Sequence, residues 1–492
     1  MSNQSLLGSA SIDKKSKKYF LLFPVIMTLI LLFRELDNDI WFLLTHGRYV
    51  LEHGIPYTEP FTIHEGFKFV MQQWLSAVIF FLTYSKFGEF GLKFLVIIAY
   101  IASMLIFFRL CLKLTNKNFI KSVLVTYIYI GLVNIFMTTR PFIFTNIVIL
   151  LEIYSLESYY VEKNKNALNV LPVLSLVLIN LQASMWPVLL VIIIPYVIDS
   201  FKFKIGPIKG CGVQKKSLFI VIFFVLLFGF LNPYGIDGML YIKNSYGVPE
   251  INSLVLEMHP ATVNSTLGLI IIASTTGLTY LYMFGNSSKR TLRYILLAIG
   301  TAYLSLSTIR GFIFFICCGI FPLSVYFDEF QVPQFDTKFP RRTILMRKIL
   351  ITLIGMMIPV LVYQNSIQKN ESMSEREYFL SALEMVLNDK NLENPIIYTG
   401  YNDGGLAEFH FVTTYIDPRA EVFLKKNNLV SEIFLEYYNL QKGLLFYKSF
   451  LNKYNFPYLI VGKNDILYTY LENDTDYSLV ASNHDYKVYR NK

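Results

Sequence analysis

The sequence predicts an α-helical polytopic membrane protein with a small α/β domain at its C-terminal end. Three observations carry that expectation. Hydrophobic residues make up 54% of the 492 residues and charged residues only 16%, whereas a soluble domain needs about a quarter charged residues to cover its surface. The mean hydropathy is +0.45. The apolar residues run in long blocks, and that pattern stops near residue 368.

In order, the blocks cover 19–33, 72–87, 91–110, 119–138, 141–158, 168–183, 186–200, 216–231, 264–284, 291–308, 311–327 and 346–364. A helix needs about 20 apolar residues to cross a bilayer; several blocks hold only about 16, so they are short spans or end in snorkelling aromatics. The first block follows a cytoplasmic tail, 1–18, that ends in Lys14, Lys15, Lys17 and Lys18. Arg34 and Glu35 follow it instead of a small-residue cleavage site, so it reads as a retained helix. Three basic loops should face the cytoplasm. They carry Lys202, Lys204, Lys209, Lys215 and Lys216; Lys289, Arg290 and Arg293; and Lys338, Arg341, Arg342, Arg347 and Lys348.

This sidedness gives about 11 crossings, a transmembrane domain over 19–367, and an extracytoplasmic domain over 368–492. The first outer loop is 34–71. Two arrangements remain open near the start. Either 72–87 lies at the interface and 168–200 is a helical hairpin, or 72–87 crosses and 168–200 is one long span; loop charge favours the first. In the C-terminal domain "NPIIYTG" and "FPYLIVG" read as strands and "SEREYFLSALEMVLND" as a helix.

Net charge is +9. The positive charge sits in short loops between apolar blocks, which excludes a nucleic-acid surface as its main reason. The four cysteines form no CxxC. The six histidines show no metal-ligand spacing, so no metal site is read from the residues.

The outer loop "RELDNDIWFLLTHGRYVLEHGIPYTEPFT" is rich in ionisable groups, among them Asp37, Asp39, Arg48 and Glu59. Ile40, Leu43, Leu44, Val50 and Leu51 fall at helical spacing, which predicts an amphipathic helix on the membrane surface. Asp37 and Asp39 would stand at its start, where one of them could be no more than a helix cap. Arg140 in "MTTRPF" and Arg310 in "LSTIRGF" sit at apolar boundaries on the outer side. Arginine is costly there and suits a lipid phosphate, although snorkelling to headgroups also explains it. Asn180, Gln182, Asn232 and Glu257 are further polar residues in or beside apolar blocks; helix–helix hydrogen bonds account for Asn180 and Gln182 without function.

These segments resemble the GT-C superfamily of membrane glycosyltransferases, which includes protein O-mannosyltransferases and lipid A aminoarabinose transferases. The resemblance rests on the acid pair Asp37 and Asp39, Trp41, Gly47-Arg48, Gly54 with Pro56, and Glu59-Pro60-Phe61. "QQWLS" (Gln72 to Ser76, with Gln73 and Trp74), "TRPFIFT", "NLQAS", "NPYG", "IRGF" and the tail's "YNDGGLAEF" and "YIDPRAEVF" are similar to further blocks.

The resemblance implies a multi-pass enzyme of the bacterial plasma membrane, its N-terminus in the cytoplasm. It would move a sugar from a polyprenyl-phosphate carrier to an extracytoplasmic glycan, lipid or protein. Asp37 or Asp39 would be the general base. Trp41, Arg48, Glu59, Gln73, Trp74, Arg140, Asn180, Asn232, Glu257 and Arg310 would line the substrate site. No cofactor is required, though in some members the loop acid positions a divalent metal. Gln72-Gln73 stands where the family usually has His-Glu, and Gln182-Ala183 where it usually has His-Gly, so titratable groups are lost at both places. A flippase for a lipid-linked saccharide and a non-catalytic surface-assembly partner therefore stand as alternatives.

Overall fold

The computed structural model describes residues 14–202, 204–205, 208–245, 249–284, 291–326, 375–389 and 396–492. The predicted span 346–364, the basic loop 338–348 and the pair Lys289–Arg290 lie outside the described residues, as does the boundary at 367/368. Among the described residues four helices are long and apolar enough to cross a membrane: Trp74–Leu114, Phe119–Phe136, Phe142–Val161 and Thr266–Phe284. Shorter apolar helices stand among them, including Leu292–Ser307 and Ile309–Gly319.

Helix α1 (Lys14–Leu32) ends just before Arg34. The Arg34 guanidinium donates to the carbonyls of Asn134 and Met137 at 2.7 and 2.9 Å. The chain leaving α1 is thereby pinned to the turn that carries Arg140. Helix α2 (Ile40–His53) follows, and every residue from Ile40 to Gly47 is buried. The expected surface helix is instead half enclosed by protein, and only its last turn is exposed. Gly47 makes this possible, because a Cβ there would lie 2.2 Å from the Ala77 carbonyl oxygen.

Helix α3 (Trp74–Leu114) is two helices joined at Gly88, where φ is 60° and ψ −155°. That left-handed φ favours glycine. The break separates 74–87 from the following span, where the two apolar blocks were read as distinct. After α4 (Phe119–Val133) and α5 (Phe142–Val161) come α6 (Val170–Leu181) and α7 (Trp186–Asp199). The Trp186 indole donates back to Ser175 Oγ at 2.7 Å, so α7 folds onto α6. The connecting turn meets the start of α3, with Ala183 N donating to the Gln72 carbonyl at 2.8 Å. The far end returns to α5, where the Tyr196 hydroxyl donates to Glu157 at 2.9 Å. Helices α6 and α7 thus form a hairpin.

Arg293 departs from its expected place in a basic loop. It is 5% exposed. It donates to Glu157 on α5 at 3.0 Å and to Asp199 on α7 at 2.9 Å. A buried guanidinium is tolerable because both carboxylates face it.

The C-terminal part contains a helix over 375–387 and a five-stranded sheet. Two short strands earlier in the chain, β1 (Lys204–Ile205) and β2 (Ile208–Lys209), pair with each other in the 200–210 loop. The sheet itself uses β3 (Ile396–Tyr398), β4 (Thr413–Thr414), β5 (Tyr458–Gly462), β6 (Tyr477–Ser482) and β7 (Tyr486–Asn491), in the order β4-β3-β5-β7-β6. The β3 strand runs parallel to both β4 and β5, whereas β7 is antiparallel to β5 and β6. Both predicted strand runs form, at β3 and β5.

The 34–71 loop shares the core of this domain. Phe61, Phe67, Phe69 and Met71 are buried in one cluster with Tyr415, Phe423 and Phe450. Thr62 bridges to Thr414 in parallel, beside β3 and β4, and Ile63 N donates to the Thr414 carbonyl at 3.0 Å. His64 bonds the Tyr415 carbonyl at 2.8 Å. A buried ion cluster closes the junction. Arg419 meets Asp417 and Glu59, the latter at 2.9 Å, with Glu408 at 3.9 Å.

Candidate active site

Asp37 and Asp39 stand where α1 hands over to α2, facing the turn before α5. Thr139 Oγ1 accepts from the Asp37 amide at 3.0 Å, which fixes the height of the acid pair against that turn. Arg140 gathers three carboxylates: Asp37 Oδ2 lies 2.9 Å from Nε, Asp39 Oδ2 3.1 Å from Nη2, and Glu257 Oε2 2.9 Å from Nη1. These acids hold the guanidinium well above its usual pKa against the opposing effect of burial.

The two aspartates are not equivalent. Asp37 Oδ1 accepts from the Asp39 amide at 3.2 Å and its Oδ2 pairs with Arg140. Asp39 sits at the cap position of α2 yet makes no capping bond. Its Oδ2 alone is held by Arg140, and the side chain is 31% exposed. Burial, aided by the charges of Asp37 and Glu257, pushes its carboxyl up to about 6, with Arg140 and Arg310 opposing.

Three cavities meet at Asp39. The largest, about 480 Å³, runs from Asp37, Asp39 and Trp41 to the C-terminal domain. Its far wall carries Asp403, Asp465, Tyr437 and Tyr486. The Tyr486 hydroxyl donates to Asp403 at 3.0 Å. Burial, with Glu375 and Asp465 adding to it, nonetheless lifts the Asp403 carboxyl to about 7. Gly405 brings this wall close, since a Cβ there would lie 3.2 Å from Phe42. The second cavity, about 120 Å³, points toward the apolar helices and is lined by Phe136, Ile313 and Phe314 with Arg140, Glu257 and Arg310. The third, about 110 Å³, lies between α2 and Arg419. Arg310 borders the second and third cavities, and among the described residues it bonds no carboxylate. Among the described residues no group of His, Cys, Asp and Glu side chains is arranged to hold a metal ion.

The structure brings Asp37, Asp39, Trp41, Gln73, Arg140, Glu257 and Arg310 to these cavities. The remaining predicted residues serve the frame. Arg48 donates to the Phe409 and Glu408 carbonyls and lies over the Phe411 ring at 3.8 Å. Glu59 accepts from the amides of Phe61 and Thr62 and pairs with Arg419. The Trp74 indole donates to Asn180 at 3.0 Å. Asn180 also donates to the Leu231 carbonyl, and Asn232 folds its own turn through Gly229, Tyr234 and Gly235. The wall residues Asp403, Asp465, Tyr437 and Tyr486 were not singled out from the sequence. The glycine pair after Asp403 was the one local signal.

No protein-family model matches the chain, and no curated protein matches it by sequence. Solved structures do match. The Archaeoglobus fulgidus oligosaccharyltransferase, tethered with an acceptor peptide containing the NVT sequon, superposes at a TM-score of 0.59 with 11% identity, over 91% of this chain and 69% of that one. AglB from the same organism, in complex with an inhibitory peptide and a dolichol-phosphate, gives 0.58 and 12%, over 91% and 70%. ArnT from Cupriavidus metallidurans, bound to undecaprenyl phosphate, gives 0.56 and 9%, over 96% and 98%. This is the GT-C fold. The four long apolar helices among the described residues suit a membrane-embedded chain of this fold.

Proposed function

We propose that this protein is a glycosyltransferase that moves a sugar from a polyprenyl-phosphate carrier to an acceptor on the extracytoplasmic face. The GT-C fold supports a transferase in general. The observation that carries the finer reading is Asp39, which borders all three cavities and, among the described residues, has Arg140 on Oδ2 and no bonding partner on Oδ1. A carboxyl near 6 is mostly ionised at neutral pH and still basic enough to accept a proton in a transition state.

The chemistry follows from the neighbours. The carrier enters by the apolar cavity, and Arg310, not engaged by a carboxylate, meets its phosphate. The acceptor hydroxyl enters by the large cavity. Asp39 takes the hydroxyl proton as the acceptor oxygen bonds to the anomeric carbon. The bond from that carbon to the phosphate oxygen breaks, and its electron pair leaves with the phosphate. Arg310 stabilises the charge that develops there. Arg140, already committed to three carboxylates, positions the acids and does not serve the phosphate directly. The acceptor is a cell-surface glycan, glycolipid or protein.

The test reconstitutes the purified protein in vesicles with labelled polyprenyl-phosphate sugars and an extract of cell-surface acceptors. Label moved from carrier to acceptor supports the proposal. Label that stays on the carrier and changes leaflet contradicts it and identifies a flippase.

A further inference from the structure

The reading above sends the acceptor into the large cavity, and the walls of that cavity bear on which acceptor it is. Its far wall is built from the chain leaving two strands. The segment after β3 supplies Tyr401, Asn402 and Asp403, and the segment after β5 supplies Lys463, Asn464 and Asp465. Charge comes first. Among the described residues the lining holds six carboxyl groups and three cations. Each cation is already engaged. Arg140 holds three carboxylates, Arg376 pairs with Glu89 at 3.3 Å, and Lys463 pairs with Asp485 at 2.6 Å. A phosphate or carboxylate entering here would meet like charge, which is repulsive, and no cation without a carboxylate partner. The apolar cavity differs in this respect, because Arg310 there bonds no carboxylate among the described residues.

The topology narrows the class further. A common way to hold an extended peptide is to add it to the edge of a sheet. The strand β3 is paired with β4 and β5, and β5 is paired with β3 and β7. Both strands that lead into the cavity are therefore closed to such a peptide. The lining offers side chains of two other kinds. Carboxyl groups accept from hydroxyls, and the amides of Asn402, Asn464 and Gln441 both donate and accept. Trp41, Tyr401 and Tyr437 add ring surface among these polar groups. A sugar ring has both matching parts, hydroxyls that donate and accept around an apolar C–H face.

We propose that the acceptor unit held in the large cavity is a saccharide that carries no phosphate or carboxylate group. This rests on the transferase reading above. It sets aside a peptide acceptor and an acidic glycan, and it makes the segments after β3 and β5 the elements that select the acceptor.

The test uses the full-length protein in vesicles with labelled polyprenyl-phosphate sugars and the cell-surface extract. The labelled product is fragmented, and mass spectrometry identifies the unit bonded to the labelled sugar. That unit should be a sugar residue free of phosphate and carboxylate. Label on an amino-acid side chain, on a phosphorylated sugar or on a uronic acid overturns the assignment and leaves the transferase reading standing. Label that reaches no acceptor overturns the transferase reading itself. Asp403→Asn ties the result to the far wall, because it removes the charge and keeps an oxygen to accept from Tyr486. It should raise KM for the acceptor about tenfold, the effect of one weakened charge-assisted hydrogen bond, and leave KM for the donor unchanged. An unchanged acceptor KM, or an equal rise for both substrates, overturns the placement.

Discussion

One residue separates Asp37 from Asp39, yet their surroundings differ. Asp37 spends one oxygen on the Asp39 amide and the other on Arg140, so it orients the pair. Asp39 has Arg140 on Oδ2 and, among the described residues, no bond on Oδ1, as the proposed general base requires. Its raised pKa gives a pH prediction with a definite sign. The base form is required, so kcat/KM should fall as pH drops through about 6, the value of the Asp39 carboxyl. The loss should approach tenfold per pH unit below that point. An acid limb centred near 4, the range of an ordinary carboxyl, would count against Asp39. Arg310 has its own prediction. Arg310→Ala should weaken carrier binding by about 10- to 100-fold, the worth of a charge-assisted bond pair. Arg310→Lys should recover part of that, because it keeps the charge and loses the fork. Titrating undecaprenyl phosphate against both variants checks this.

At the scale of elements, α2 and the outer loop fix the acid pair in space. Gly47 lets α2 lie directly against the first turns of α3. Gly47→Ala forces its Cβ against a backbone oxygen that cannot step aside. The substitution should cost roughly 1–3 kcal/mol, read as a lower melting temperature in detergent. A melting temperature at or above that of the wild type would show that the two helices do not approach so closely. The Glu59 and Arg419 pairing ties the loop to the C-terminal domain. Glu59→Ala leaves Arg419 its Asp417 partner but strips the acceptor from the buried Phe61 and Thr62 amides, so it should cost about 1–3 kcal/mol. The same denaturation measurement reports it.

At the scale of the whole molecule, the 34–71 loop and the C-terminal domain share one aromatic core. A fragment spanning 375–492 alone lacks Phe61, Phe67, Phe69 and Met71, which fill its aromatic core. It should show no cooperative thermal transition; a fragment that unfolds cooperatively would show that the loop merely rests on a finished domain. This joint core was not legible in the sequence. The bond from His64 to Tyr415 crosses 351 positions, and no local pattern announces it. The apolar blocks, with 72–87 set apart from 91–110, and the strands β3 and β5 were legible, because period and turn residues are local signals. Arg293 was misplaced for a physical reason. Counting loop cations cannot see that Glu157 and Asp199 wait on other helices. Arg140 could be singled out as an arginine at a boundary, but its bond to Glu257 spans 117 positions and needed the fold. Trp74, Asn180 and Asn232 carry recognisable motifs because they build the scaffold beside the cavities.

The central claim is that Asp39, and not its neighbour, takes the acceptor proton. The measurement is single-turnover transfer of labelled sugar from a polyprenyl-phosphate donor, with Asp39→Asn and Asp37→Asn compared at equal folded protein. Asp39→Asn should slow transfer by about 10²- to 10⁴-fold with carrier binding intact, the range for a lost general base. Asp37→Asn should slow it less. Transfer at the wild-type rate in Asp39→Asn would contradict the account.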